Sequence, residues 1–198
     1  MEVSRREDAM NTKSSRSRLA IRSLVVAVAA GVLPVAAAAS SAHAAPYCGI
    51  TWGSLAKSSS TMAPGPLTGV RAGQHTCYDR LVVDLQGRAP GYTVKYVTTV
   101  YTEGQGAAVP LRGGARLVVV AKAPAYTASG NPSFTPRNRA EVVDVTGYRT
   151  FRQVAWAGTF EGQTSLGLGV RARLPFRVFT LDGPGTGSRL VIDVAHRW

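Results

Sequence analysis

Few side chains in this 198-residue chain are equipped for chemistry. The only cysteines are Cys48 and Cys77, and the histidines are His43, His75 and His196. Two thiols with His75 and His196 give no zinc-ligand spacing, so no metal is expected. In an oxidising compartment the thiols pair with each other, and closing that loop stabilises the fold by about 3 kcal/mol in the chain-entropy description. The chain has no G-x-S-x-G elbow, no S-x-x-K and no H-E-x-x-H. Gly167-Leu168-Gly169 belongs to an alternating stretch that opens no helix, so it is not a phosphate-binding loop. Glu161, Asp182 and Asp84 are the candidates for paired-carboxylate work, and each reads better as a turn or strand-face residue. A Ser-His-Asp set assembled in space stays open, because triads carry no fixed chain order. The expectation is a protein with no catalytic residues and no cofactor.

Binding has more to use. Ser165, Gly167 and Gly169 make one strand face nearly bare, and Arg171 and Arg173 continue that face. Past the turn at Pro175, Arg177 is expected opposite them on the next strand. Guanidinium groups converging on a small-residue floor suit a phosphate or carboxylate, which Arg binds bidentately. Trp156 and Phe160 flank the start of this strand and can stack on a sugar face. The alternative is plain: strand glycines often mark close packing, and arginines a solvated face.

The segment before this region sets the compartment. Arg16, Arg18 and Arg22 precede an uncharged apolar run over 24–39, which leads to Ala42-His43-Ala44. Basic, then apolar, then A-x-A is an export signal, with cleavage expected between Ala44 and Ala45. The run is short of the ~20 residues needed to span a bilayer, so no membrane attachment is expected after cleavage. The remaining stretch, 45–198, is one domain by length. It keeps 17 of the 23 Lys and Arg and 8 of the 11 acids, a net charge of +9. Nucleic acid is not expected as a partner, because the arginines are dispersed and the chain is exported.

Short β-branched and aromatic runs, separated by Gly, Pro, Ser and Asn clusters, point to an all-β antiparallel sandwich. Strands are expected over 80–86, 92–101, 116–122, 141–145, 148–155, 159–170, 176–181 and 189–195. The stretch 57–74 reads as an irregular loop tied down by the disulfide, and 124–139 as a second flexible loop. Arg80-Leu81-Val82-Val83-Asp84-Leu85 returns as Arg189-Leu190-Val191-Ile192-Asp193-Val194. Arg and Asp share the outer face in each copy and pair crosswise if the two strands are neighbours closing the sandwich.

From about Cys48 onward the chain resembles the AMIN-like domain proteins of actinobacterial type. The residues that carry this are Trp52-Gly53-Ser54-Leu55, His75-Thr76-Cys77-Tyr78-Asp79-Arg80-Leu81-Val82-Val83-Asp84-Leu85 and Gly91-Tyr92-Thr93-Val94. Phe160-Glu161-Gly162-Gln163-Thr164-Ser165-Leu166-Gly167-Leu168-Gly169-Val170-Arg171 and Pro175-Phe176-Arg177-Val178 carry it further, with 189–196 at the end. The resemblance implies a sandwich related to the AMIN domain, a module that localises cell-wall amidases and secretins by binding the envelope. No amidase domain accompanies it in this chain. The expected function is that of a non-enzymatic secreted or cell-wall-associated module. Its expected partner is an anionic wall polymer, peptidoglycan or teichoic acid, with a protein-binding or inhibitor role through 124–139 as the alternative.

Overall fold

The structure, a computed structural model, describes residues 45–198. The expected export signal, through Ala44, lies outside the described residues. Those described are all-β apart from one 3-10 turn, Tyr47–Gly49.

Two antiparallel sheets pack face to face. In spatial order the first consists of β1 (Lys57–Ser59), β4 (Tyr92–Val97), β7 (Ala115–Ala121), β9 (Gln163–Val170) and β8 (Phe151–Phe160). The second consists of β10 (Phe176–Asp182), β11 (Ser188–Ala195), β3 (Tyr78–Leu85) and β2 (Leu67–Gln74). A small hairpin, β5 (Val100–Tyr101) with β6 (Ala108–Val109), forms a third sheet that packs on the first.

The period-2 patterning explains which faces meet. Leu117, Val119 and Ala121 of β7 and Leu166, Leu168 and Val170 of β9 point inward. They meet Leu81, Val83 and Leu85 of β3, Phe176 of β10, and Leu190, Ile192 and Val194 of β11 in one core.

Several elements differ from the sequence reading. The stretch 57–74 is not irregular: it holds β1 and β2, and β2 pairs along the whole of β3. Its Gly, Ser and Pro content hides an edge strand whose inward residues are Leu67, Val70 and Ala72. The expected strand over 92–101 is broken after Val97, because Val100 turns away into a second, smaller cluster with Leu111, Ala155 and Ala157. The strand expected over 141–145 does not form. That segment runs beside β8 with only scattered bonds, Trp156 N–H to Arg139 O at 2.7 Å and Val142 N–H to Val154 O at 2.7 Å. Finally, 159–170 is not one strand. Glu161 (φ 47°) and Gly162 (φ 76°) form the two-residue turn that joins β8 to β9.

The repeated Arg/Asp segments are neighbours, with Arg80 opposite Asp193 and Arg189 opposite Asp84. They occupy the middle of the second sheet, not its margin. The first pair closes as expected, with Arg80 Nε 2.6 Å from Asp193 Oδ1. The second does not, because Asp84 is taken by Arg71 on β2 at 2.8 Å. Cys48 and Cys77 are joined as a disulfide.

Candidate functional site

The bare strand face is not a ligand floor. Ser165, Gly167 and Gly169 are buried beneath the segment that carries the β5–β6 hairpin and the residues after it. A Cβ on Gly167 would come within 2.7 Å of the Leu111 side chain, and one on Gly169 would strike the Arg112 carbonyl oxygen. The Ser165 hydroxyl donates to Glu103, at the tip of the hairpin. Small residues are needed here because another layer lies on them.

The three arginines expected to converge are dispersed. Arg177 sits on β10 in the opposite sheet, where its Nε lies 2.8 Å from Asp193 Oδ2. Its guanidinium covers Trp52 at 4.4 Å and Phe179 at 5.0 Å from the ring centroids. Arg80 holds both oxygens of the same carboxylate, and these bonds keep the Arg80 guanidinium pKa above its ordinary value. Arg173 lies 4.9 Å over the Tyr96 ring and donates to the Ser54 carbonyl at 3.1 Å. The two contacts tie Arg173 to β4 and to the bend before β1.

Arg171 is different. It lines a 450 Å³ depression at one end of the sandwich with Tyr47, Arg149, His196 and Arg197. Arg171 Nη2 donates to the His196 carbonyl at 2.5 Å, Arg149 Nη1 to the Thr76 carbonyl at 3.4 Å, and Arg197 lies 5.4 Å over the Tyr47 ring. All three arginines are exposed, and none belongs to an ion pair among the described residues. Three cations facing one hollow with no carboxylate repel one another and attract an anion.

The disulfide shapes this hollow. It fixes Cys48, next to Tyr47, against Cys77, whose carbonyl accepts the His196 N–H at 3.0 Å. Beneath the rim His196 is buried, its Nδ1 3.0 Å from Thr150 Oγ1 and its Nε2 donating to the His75 carbonyl at 3.0 Å. Asp79 is also buried, accepting the Thr150 and Phe151 N–H groups at 2.6 and 3.0 Å. Thr150, His196 and Asp79 thus stand together, but Thr150 is 0% exposed and no substrate reaches its hydroxyl. The group closes the end of the sandwich and backs the arginines. Among the described residues no three His, Cys, Asp or Glu side chains cluster to hold a metal.

Trp156 and Phe160 do come together, at the other end of β8. Both line an 840 Å³ groove between the turn at 102–105 and the loop at 125–139. Trp156 packs against Phe134, centroids 5.7 Å apart, and Phe160 is 50% exposed. Five residues of β8, Phe151 to Ala155, about 16 Å at 3.3 Å each, separate Trp156 in this groove from the end of the strand at the arginine hollow.

Residues 65–196 match the AMIN-like domain family. The chain belongs to the AMIN-like family. No curated protein and no solved structure matches it. AMIN-like domains are linked in general to the cell envelope, and the family's match spans β2 through β11, so every strand but β1, and Cys77 of the disulfide, lies inside it. Tyr47 and Cys48 lie before the matched stretch and Arg197 after it. Sequence reading picked out Arg171 but missed Arg149 and Arg197. Arg149 comes after a turn at Gly147, Arg197 after the last strand, and no local pattern brings them together. The one signal in the sequence was the cysteine pairing, which draws 47–48 toward 76–77.

Proposed function

We propose that this protein is exported and acts without catalysis at the cell envelope, where it binds an anionic wall polymer through the hollow formed by Tyr47, Arg149, Arg171 and Arg197. The observation that carries this reading is the trio of exposed guanidinium groups facing one depression with no carboxylate partner. Each offers planar donor pairs matched to a phosphate diester or a stem-peptide carboxylate. The disulfide and the export-type leader support an oxidising compartment. A net charge of +9 over 45–198 adds long-range attraction to a polyanionic wall.

The reading is tested by sedimenting the purified protein with isolated walls, with and without their teichoic acid, over a range of salt. Retention that falls with salt supports it. Release of soluble wall fragments in the same tubes would instead show a hydrolase. A salt-indifferent complex with a single secreted protein would favour the protein-binding alternative.

A further inference from the structure

The groove at the far end of β8 is a second concave site of different chemistry. Its wall is rigid. In the loop at 125–139, Tyr126 bridges to Pro132, Thr127 N–H donates to Asn131 O at 2.8 Å, and Ser133 Oγ donates to Leu67 O at 2.6 Å. The loop is locked to β8 and to the turn after it, through Ala125 N–H to Thr159 Oγ1 at 3.0 Å and Gly162 N–H to the Tyr126 hydroxyl at 3.1 Å. The stretch expected to be a flexible loop is therefore a built surface.

The lining alternates aromatic faces with planar polar groups. Phe160 stays half exposed, and Trp156 and Phe134 form the base. Arg139, Gln105 and Glu103 stand around them, and Arg139 belongs to no ion pair among the described residues. A ring stacked on Phe160 would bring its edge to these donors and acceptors. Pyranose sugars have that character, with apolar C–H faces and hydroxyl edges, whereas a purely apolar ligand would strip water from the Arg139 guanidinium and give it no partner. An extended peptide adding to the sheet edge is poorly served. The outer edge of β8 is already engaged at Trp156 N–H and Val154 O by Arg139 and Val142.

We propose that this groove binds a pyranose glycan chain, with Phe160 as the stacking platform and Arg139 and Glu103 as hydroxyl partners. This deepens the envelope reading and rests on it for the choice of a glycan. The site is separate from the arginine hollow, so the two can fail independently.

The test is an amide and indole NMR titration of the purified protein with a tetrasaccharide of β-1,4-linked N-acetylglucosamine, and with cellotetraose for comparison. Expected are saturable shifts at the Trp156 indole and at Gln105 with at least one of the two sugars. Phe160→Ala and Arg139→Ala, both at exposed positions, should each weaken binding at least fivefold. The double variant Arg149→Ala/Arg197→Ala should leave it unchanged. No shift with either sugar, equal binding by Phe160→Ala, or shifts confined to the arginine hollow would overturn the proposal. So would a proline-rich peptide that occupies the groove when neither sugar does. Sugar binding that persists when walls are not retained would leave the groove assignment standing and remove the wall-polymer reading.

Discussion

Asp193 of β11 lies between Arg80, which holds both carboxylate oxygens at 2.6 and 2.8 Å, and Arg177, which shares Oδ2 at 2.8 Å. The carboxylate is 0% exposed, and the arginines are covered by Tyr78, Phe179 and Trp52. A buried acid with two charge-assisted partners is costly to orphan or to delete. Asp193→Ala leaves two guanidinium groups facing each other over an empty site. It is expected to lose about 3–5 kcal/mol in urea unfolding. Arg177→Ala leaves Arg80 in place and is expected to cost clearly less. Equal costs would mean that Asp193 depends on Arg177 alone.

The disulfide closes a loop of 29 residues that holds β1 and β2. Replacing both cysteines by serine is expected to lower stability by about 3–4 kcal/mol. Because the same bond fixes Tyr47 at the arginine hollow, wall retention should also fall under conditions where the variant is still folded. Circular dichroism and sedimentation on one preparation separate the two effects.

Gly169 lies under the Arg112 backbone, whereas Gly167 faces the flexible end of Leu111. Gly169→Ala must displace main chain and is expected to cost about 1–3 kcal/mol, more than Gly167→Ala. Thermal unfolding of the pair reads this directly. Were both harmless, the cover over this face would not be packed.

Tyr96 bridges the sheets at Leu174. Its hydroxyl donates to the Leu174 carbonyl and accepts the Leu174 N–H, both at 2.9 Å. Burial pushes its phenol pKa above the ordinary value. The neutral phenol is therefore the form the fold prefers. That contribution is complete below the unfolded pKa of about 10 and is lost as pH rises through the higher folded one. Absorbance at the tyrosinate band should show a late-ionising fraction, smaller in Tyr96→Phe, which is also expected to be about 1–3 kcal/mol less stable.

The inward-facing residues of the sandwich were legible because Leu166, Leu168 and Val170 alternate cleanly, and the Arg80–Asp193 pair because the same hexapeptide pattern occurs twice. Period-2 patterning reports which face is apolar, and it is silent about what covers the other face. Ser165, Gly167 and Gly169 look alike whether they floor a binding site or seat a hairpin. Only the position of Leu111 and Arg112, over 50 residues earlier, decides between these. Edge strand β2 was hidden for a related reason. With one neighbouring strand and two glycines it shows little β propensity of its own, since β3 supplies the ladder.

The central claim is that Arg149, Arg171 and Arg197 recognise a polyanion. Titration of the purified protein with a short poly(glycerol phosphate) chain, monitored by calorimetry at low and high salt, tests it most directly. Arg149→Ala/Arg197→Ala is the comparison, since neither side chain is buried. The account predicts binding that weakens with salt and falls at least tenfold in the double variant while the melting temperature holds. Undiminished affinity in that variant, or no heat from the wild-type protein at low salt, would contradict it.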